Sequence, residues 1–139
     1  MSLVLDASLT LAWYFDDETV PAAEAVLDVV CEGGAVAPGL WRLEVANAFQ
    51  SAIRRKRITP DYRDASLADL GRLPISIDAD SDAFAWSTTV RLADRFSLTI
   101  YDATYLELAQ RSGLPLATLD GDLAKAAAAL GILNPASTG

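Results

Sequence analysis

Leu3-Val4-Leu5-Asp6, close to the start of the chain, is a short apolar run that ends in an acid. A second run of this kind, Ala117-Thr118-Leu119-Asp120, stands close to the other end. Short apolar runs predict buried strands, whereas the longer segments between them have helical spacing. Strands that alternate with helices pair in parallel through right-handed crossovers. We therefore expect an α/β protein with a single three-layer domain, whose central parallel sheet has four or five strands flanked by helices.

The predicted elements follow one another along the chain without a linker or a repeat. Strands are predicted at residues 3–5, 35–37, 75–77 and 116–118, with a fifth candidate at 131–133. Helices are predicted at residues 7–15, 20–31, 40–57, 60–70, 80–96, 102–113 and 121–130. The last residues, Asn-Pro-Ala-Ser-Thr-Gly, have the composition of a loose terminus. We expect the domain to span residues 1–133 and residues 134–139 to form a flexible C-terminal tail.

The composition excludes several kinds of active site. The 139 residues contain no histidine, which excludes Ser-His-Asp and Cys-His catalysis and histidine-ligated zinc. A general base would then be a carboxylate, lysine, tyrosine or metal-bound water. Cys31 is the single cysteine, so the chain has no internal disulfide and fits a reducing compartment. Because no apolar stretch is long enough to span a bilayer, we expect a cytoplasmic protein that does not bind membranes.

The chain is acidic, with 19 Asp and Glu against 11 Lys and Arg and a net charge of −8. Binding to phosphates along a nucleic acid depends mainly on Lys and Arg. The charge therefore argues against a broad nucleic-acid-binding surface.

Four acids stand where their side chains are expected to converge. Asp6 and Asp120 each follow a predicted strand, at the sheet edge where α/β proteins bind ligands, although each is equally suited to cap the next helix. Asp102 begins a predicted helix, on the same stripe as apolar residues three, four and seven positions later. Glu44 has apolar neighbours within its helix, where a buried carboxylate requires a compensating partner. A helix cap at Asp102 and a partly exposed position for Glu44 are the alternatives.

Converging carboxylates raise one another's pKa unless a cation lies between them. Oxygen ligands without His or Cys suit a hard ion such as Mg²⁺ or Mn²⁺. Such an ion activates water and stabilises phosphoryl oxygens, which offers a route to hydrolysis without histidine.

The acids belong to four segments whose order and spacing can be compared with known families. The segments are Val4-Leu5-Asp6-Ala7-Ser8, Leu43-Glu44-Val45-Ala46-Asn47-Ala48, Tyr101-Asp102-Ala103-Thr104-Tyr105-Leu106-Glu107-Leu108-Ala109 and Ala117-Thr118-Leu119-Asp120. Together they resemble the motifs of PIN-domain ribonucleases, and most closely those of VapC-type toxins from bacterial toxin–antitoxin pairs. The resemblance extends from Leu3 to Leu133 and implies a PIN-like fold.

The resemblance implies a Mg²⁺- or Mn²⁺-dependent endoribonuclease in which metal-activated water attacks a phosphodiester of RNA. The residues it assigns to catalysis and metal binding are Asp6, Glu44, Asp102 and Asp120. The residues it assigns to support of these acids are Ser8, Asn47 and Thr118. It also implies a cognate antitoxin protein and a homodimer. Whether Asp122 shares the role of Asp120, and whether one or two ions act, stays open.

The one basic cluster, Arg54-Arg55-Lys56-Arg57, is a candidate RNA contact. Lys and Arg at this place also stabilise the C-terminus of a helix. The sequence favours neither interpretation over the other.

A receiver-like signalling domain that accepts a phosphoryl group is the main alternative function. It is also a small parallel α/β domain with acids at its strand ends, and Asp78 after the third predicted strand would be the acceptor. It would have adjacent acids after the first strand and a lysine after the last, neither of which this chain has. A hydrolase with an Asp nucleophile would have a second acid at the position of Ser8. Both alternatives leave Glu44 without a role.

Overall fold

The computed structural model describes residues 2–15 and 20–138, and these residues form a parallel four-stranded sheet. The strands are β1 (Leu3–Leu5), β2 (Ala35–Pro38), β3 (Ile75–Asp78) and β4 (Leu116–Ala117). Their order across the sheet is β3-β2-β1-β4, so β1 lies between β2 and β4. The predicted α/β class and parallel sheet are confirmed.

The candidate fifth strand is much shorter than predicted. It is reduced to one bridge between Leu133 and Leu116 of β4. Asn134 follows immediately and hydrogen-bonds through its backbone N–H to the carbonyl of Leu116. Pro135 then begins a 3₁₀ turn, which ends the pairing because proline cannot donate to a ladder.

Seven α-helices lie between and beyond the strands in the described part of the chain. They are α1 (Ala7–Ala12), α2 (Pro21–Gly33), α3 (Gly39–Arg54), α4 (Pro60–Leu70), α5 (Val90–Phe96), α6 (Ile100–Ser112) and α7 (Gly121–Ala129). Pro21 and Pro60 occupy first-turn positions, where the missing N–H costs no hydrogen bond. Thr59 caps α4 by accepting from the N–H of Tyr62.

Several predicted helix boundaries are wrong. Helix α1 ends at Ala12 rather than residue 15, because Trp13 and Tyr14 turn back onto the carbonyls of Thr10 and Leu11. Helix α3 ends at Arg54, before the rest of the basic cluster. Helix α6 begins two residues before Asp102, since Thr99 is its N-cap.

The segment predicted as one helix over residues 80–96 has three parts. Ser81–Phe84 is a 3₁₀ helix, Ala85–Thr89 is a π-helix, and α5 follows. The Ser81 hydroxyl donates to Asp78 Oδ2 at 2.7 Å, and the Phe84 ring lies 4.7 Å from the Arg111 guanidinium carbon. We attribute the departure from α-helical geometry to these contacts, which fix the start of the segment against β3 and α6.

Both faces of the sheet are covered. Leu3, Val4 and Leu5 of β1 are all fully buried, although successive strand residues point to opposite faces. Burial of each such side chain contributes about 1.5–3 kcal/mol. Helix α6 packs against β1 and β2, which brings its first turn near the sheet edge that carries Asp6.

The C-terminal segment begins with Asn134, which is 7% exposed, and continues as the 3₁₀ helix Pro135–Thr138. The flexible tail at 134–139 and the domain limit at residue 133 stay predictions. In the described part of the chain, no helix has both the length and the apolar character that a bilayer crossing requires.

Candidate active site

Asp6 links the end of β1 to the start of α1. Its Oδ1 accepts the backbone N–H of Leu9 at 3.0 Å, so it caps α1. Its backbone carbonyl accepts the hydroxyl of Thr10 at 2.8 Å. The capping role and the strand-end position that the sequence offered as alternatives therefore coexist in one residue.

The Asp6 carboxylate is 4% exposed and is surrounded by donors. The Ser8 hydroxyl lies 2.8 Å from Oδ1 and 2.9 Å from Oδ2, and the Thr118 hydroxyl donates to Oδ2. Burial raises the pKa of Asp6 to about 6, against the lowering effect of the hydrogen bonds from Thr118, Leu9 and Ser8. The charge of Asp102 raises the pKa of Asp6 further. Asp6 is thus a desolvated carboxylate held in one orientation.

Asp102 lies in the first turn of α6. Its backbone N–H donates to the Thr99 hydroxyl at 3.1 Å, so Thr99 caps the helix and the carboxylate of Asp102 is left for other contacts. Burial raises the pKa of Asp102, and the charges of Asp120, Glu44 and Asp122 raise it further, in that order. Asp102 therefore lies close enough to Asp120, Glu44 and Asp122 for their charges to affect its ionisation.

Glu44 projects from α3 and is half-buried. Its Oε1 accepts a hydrogen bond of 2.5 Å from the Tyr105 hydroxyl. The compensating partner that a buried Glu44 was expected to require comes from α6. Tyr105 was assigned to the apolar stripe and its hydroxyl was missed. The available signal was a tyrosine at a buried position, since a buried phenol usually has a hydrogen-bond partner.

Asp120 caps α7, as its Oδ1 accepts the N–H of Leu123 at 3.0 Å. Its own N–H donates to the Thr118 hydroxyl at 3.0 Å, so Thr118 connects Asp120 with Asp6. Asp122 follows in the exposed first turn of α7 and has a weaker effect on Asp102 than Asp120 has. The arrangement favours Asp120 as the acid nearer the centre of the site.

Two sets of predicted residues lie apart from these contacts. Asn47 is exposed on α3, and among the described residues no hydrogen bond joins it to an acid. The basic cluster begins ten residues after Glu44, about 15 Å along the helix axis. Its residues are exposed, and the Arg57 guanidinium carbon lies 5.2 Å from the centre of the Phe15 ring.

The acidic residues of the site can be compared with the ligands that a hard cation prefers. Over residues 2–15 and 20–138, no three acidic side chains are placed to hold one ion jointly. Mg²⁺ keeps several of its waters and is usually held by one or two carboxylates. Burial is the main cause that raises the pKa of Asp102, and the charges of Asp120, Glu44 and Asp122 add to it; a cation would offset those charges. The chemistry of the residues fits Mg²⁺ or Mn²⁺ bound partly through water.

Asp78, the acceptor in the receiver-like alternative, is engaged elsewhere. Arg111 Nη2 lies 2.8 Å from its Oδ2 and Nη1 lies 3.4 Å from its Oδ1. The hydrogen bond from Arg111 lowers the pKa of Asp78. Asp78 also lies on the edge strand β3, which is separated from β1 by β2. It is part of a structural ion pair, and the receiver-like alternative is not favoured.

Comparisons with known proteins give the family. The PIN domain family matches residues 3–129. The chain is 32% identical over 125 residues to ribonuclease VapC3 of Pyrobaculum aerophilum, which covers 90% of this chain and 94% of that protein. It is 37% identical over 92 residues to ribonuclease VapC3 of Mycobacterium tuberculosis, which covers 65% of this chain and 63% of that protein.

A solved structure has the same fold. The crystal structure of PAE2754 from Pyrobaculum aerophilum matches with a TM-score of 0.62 at 22% identity, covering 91% of this chain and 84% of that one. The family match spans nearly all of the strands and helices described above, and the resemblance inferred from the four motifs is confirmed. This chain belongs to the PIN-domain family, among its VapC-type members.

Proposed function

We propose that this protein is an endoribonuclease toxin of the VapC type that cleaves RNA with the help of a divalent cation. The observation that carries the proposal is the position of Asp102 in the first turn of α6, where burial raises its pKa and the charges of the nearby acids Asp120, Glu44 and Asp122 raise it further. The similarity to two proteins named ribonucleases supports the reaction class.

We propose Mg²⁺ or Mn²⁺ as the cofactor, held directly by one or two of the acids Asp6, Glu44, Asp102 and Asp120 and through water by the others. When bound, the ion would supply Lewis-acid stabilisation of the phosphate and activation of water. Support comes from the all-oxygen donor set, which hard cations prefer. The absence of histidine from the chain is consistent with it, since no imidazole is available as a base.

The chain's own residues would keep the acids in place for this chemistry. Ser8, Thr118 and the N–H of Leu9 fix both oxygens of Asp6, so little reorganisation of that carboxylate would be needed on binding. Asp120 is fixed through one oxygen by the α7 N-terminus. Fixed charged groups stabilise developing charge better than mobile ones.

We also propose a cytoplasmic protein that forms a homodimer and is neutralised by a cognate antitoxin. The net charge of −8 supports a basic segment in the antitoxin, because opposite charges attract over a Debye length of about 8–10 Å.

For the RNA substrate, the exposed residues Arg54, Arg55 and Lys56 are the proposed phosphate contacts.

The test compares cleavage of a mixture of cellular RNAs by the wild type, Asp102→Asn and Asp28→Asn. Asp28 is exposed on α2 and provides the matched control. We expect wild-type cleavage to require Mg²⁺ or Mn²⁺ and to stop with EDTA. Asp102→Asn should lose more than the roughly 10–100-fold that loss of a supporting contact costs, whereas Asp28→Asn should cleave normally. Metal-dependent cleavage that survives unchanged in Asp102→Asn would contradict the site.

A further inference from the structure

Tyr105 is one of the most deeply buried side chains of the domain, at 1% exposure, yet it carries a polar group. Its hydroxyl donates a hydrogen bond of 2.5 Å to Oε1 of Glu44. The two residues are 61 positions apart in sequence, so the hydrogen bond joins α6 to α3. Tyr105 also follows Asp102 by three positions on α6, which places both on the same face of that helix.

A phenylalanine would fill the same apolar space without needing a partner. A buried hydroxyl left unpaired costs about 1–3 kcal/mol, so the tyrosine is tolerated because Glu44 accepts its hydrogen bond. A bond from a hydroxyl to a carboxylate is shorter and roughly twice as strong as a neutral one. A phenol is protonated at neutral pH whereas a carboxylate only accepts, so the Tyr105 hydroxyl is the donor of this hydrogen bond.

Glu44 needs such a constraint more than Asp6 and Asp120 do. Asp6 and Asp120 have short side chains fixed by helix-capping hydrogen bonds. Glu44 has one more rotatable bond and comes from the middle of a helix, where it cannot cap. Among the described residues, no hydrogen bond other than that from Tyr105 ends on its carboxylate. One oxygen is held and the other, Oε2, is left for a ligand.

We propose that Tyr105 is a positioning residue, which holds the Glu44 carboxylate in the orientation required for cation binding and RNA cleavage. The inference rests on the proposed function of the acid site. The competing explanation is that Tyr105 serves only to pack α6 against the core, with Glu44 as a convenient acceptor.

The two explanations differ in how Tyr105→Phe and Glu44→Gln combine. If Tyr105 acts through Glu44, Tyr105→Phe should lower Mg²⁺ affinity and turnover by roughly 10–100-fold. It should have no further effect in a Glu44→Gln background, because the group that it positions is already altered. Equal losses in both backgrounds would overturn the proposal, as would wild-type turnover in Tyr105→Phe.

Tyr14→Phe is the matched control, since Tyr14 also donates its hydroxyl to a carboxylate, Asp69 Oδ2, at 2.9 Å. It should leave Mg²⁺ affinity and turnover unchanged, and a loss equal to that of Tyr105→Phe would overturn the proposal. Affinity is measured by calorimetric titration with MgCl₂, and turnover with a labelled RNA. Thermal melting in EDTA checks that each variant is folded.

A measurement on the wild type covers the case in which Tyr105→Phe does not fold. The Tyr105 hydroxyl proton, observed by NMR, should shift when MgCl₂ is added, because its acceptor becomes a ligand. If the protein binds Mg²⁺ and the chemical shift of this proton does not change, the proposal is overturned. A wild type that neither binds Mg²⁺ nor cleaves RNA would instead refute the proposed function, so the two failures are distinguishable.

Discussion

The Thr118 hydroxyl donates to Oδ2 of Asp6 and joins the segment after β4 to the end of β1. Thr118 is 1% exposed and also accepts the N–H of Asp120 at 3.0 Å. One hydroxyl therefore connects two of the four acids across the neighbouring strands β1 and β4.

Thr118→Val should test this connection because valine has nearly the same shape but no hydroxyl. Loss of the donor to the buried Asp6 carboxylate should lower the free energy of unfolding by about 1–3 kcal/mol. RNA cleavage should fall as well. Urea denaturation in EDTA measures the stability. Thr88→Val, in the π-helix, is the control and should change stability less; equal losses would argue against a special role for Thr118.

Asp6→Asn should stabilise the fold while removing activity. Because burial raises the pKa of Asp6 to about 6, ionisation of this carboxyl is less favourable in the folded protein than in the unfolded chain. Asparagine keeps an oxygen for the Leu9 N–H but carries no charge. We expect a gain of roughly 1–3 kcal/mol in metal-free buffer at pH 7.5, read from denaturant midpoints. A loss of stability would show that the hydrogen bonds to the carboxylate outweigh its desolvation.

Addition of Mg²⁺ should raise the melting temperature of the wild type. A ligand that binds only the folded state adds about 2.7 kcal/mol when present at 100 times its Kd. Asp102→Asn should show a smaller increase over the same MgCl₂ series, and Asp28→Asn the same increase as the wild type. Identical curves for all three proteins would place the cation away from Asp102.

The pair of Asp78 and Arg111 should give an acid-dependent contribution to stability. The pKa of Asp78 is lowered from its ordinary value of 3.8, chiefly by the hydrogen bond from Arg111. A lowered folded-state pKa gives stability that is fully present above pH 3.8 and is lost as the pH falls through the folded value. The side chains are 15% and 25% exposed, so about 1–2 kcal/mol is expected.

Asp78→Asn provides the measurement for this pair. Its deficit in unfolding free energy relative to the wild type should be largest near neutral pH and should shrink towards pH 2. Asp94→Asn, an exposed change on α5, should show no such trend. A deficit in Asp78→Asn that is independent of pH would point to packing rather than to charge.

The basic cluster predicts a salt dependence of RNA binding. Changing Arg54, Arg55 and Lys56 to Gln removes three exposed charges and leaves Arg57 on the Phe15 ring. For single-stranded RNA the slope of log K against log salt should lessen by about 2, at about 0.7 per contact. Fluorescence anisotropy at several KCl concentrations measures it.

The control for this experiment changes three exposed basic residues on other elements, Arg72, Arg91 and Lys125, to Gln. It removes the same charge without touching the end of α3. Equal slopes in the two triple variants would mean that net charge alone, and no local contact, governs RNA binding.

The strands and most helices could be predicted because their signals are local. Leu3–Leu5 is apolar throughout, and Pro60 after Thr59 marks the start of a helix. The π-helix at Ala85–Thr89 could not be predicted, and we attribute it to contacts that Ser81 and Phe84, just before it, make with β3 and α6. Such contacts join residues that are distant in sequence.

In the candidate site, too, some features could be predicted from local signals and others depend on contacts between distant residues. The positions of Asp6 and Asp120 followed from the rule that parallel strands end at one edge. The pairing of Tyr105 with Glu44 depends on the packing of α6 beside α3, and no spacing within either helix reveals it. Thr99 was missed as the cap of α6 because Asp102, three residues later, is itself a common capping residue.

Asp6 and Asp120 are proposed site residues and also helix caps. This matters for the preparation of an inactive form of the protein with which to capture its partners. Alanine at Asp6 or Asp120 would remove a helix cap along with the charge. Loss of the cap would destabilise the start of α1 or α7 and so alter the surface available to a binding protein. Asp102 carries no capping bond on its side chain, since Thr99 performs that task. A substitution at Asp102 should therefore inactivate the protein and leave the surface that a partner would bind unchanged.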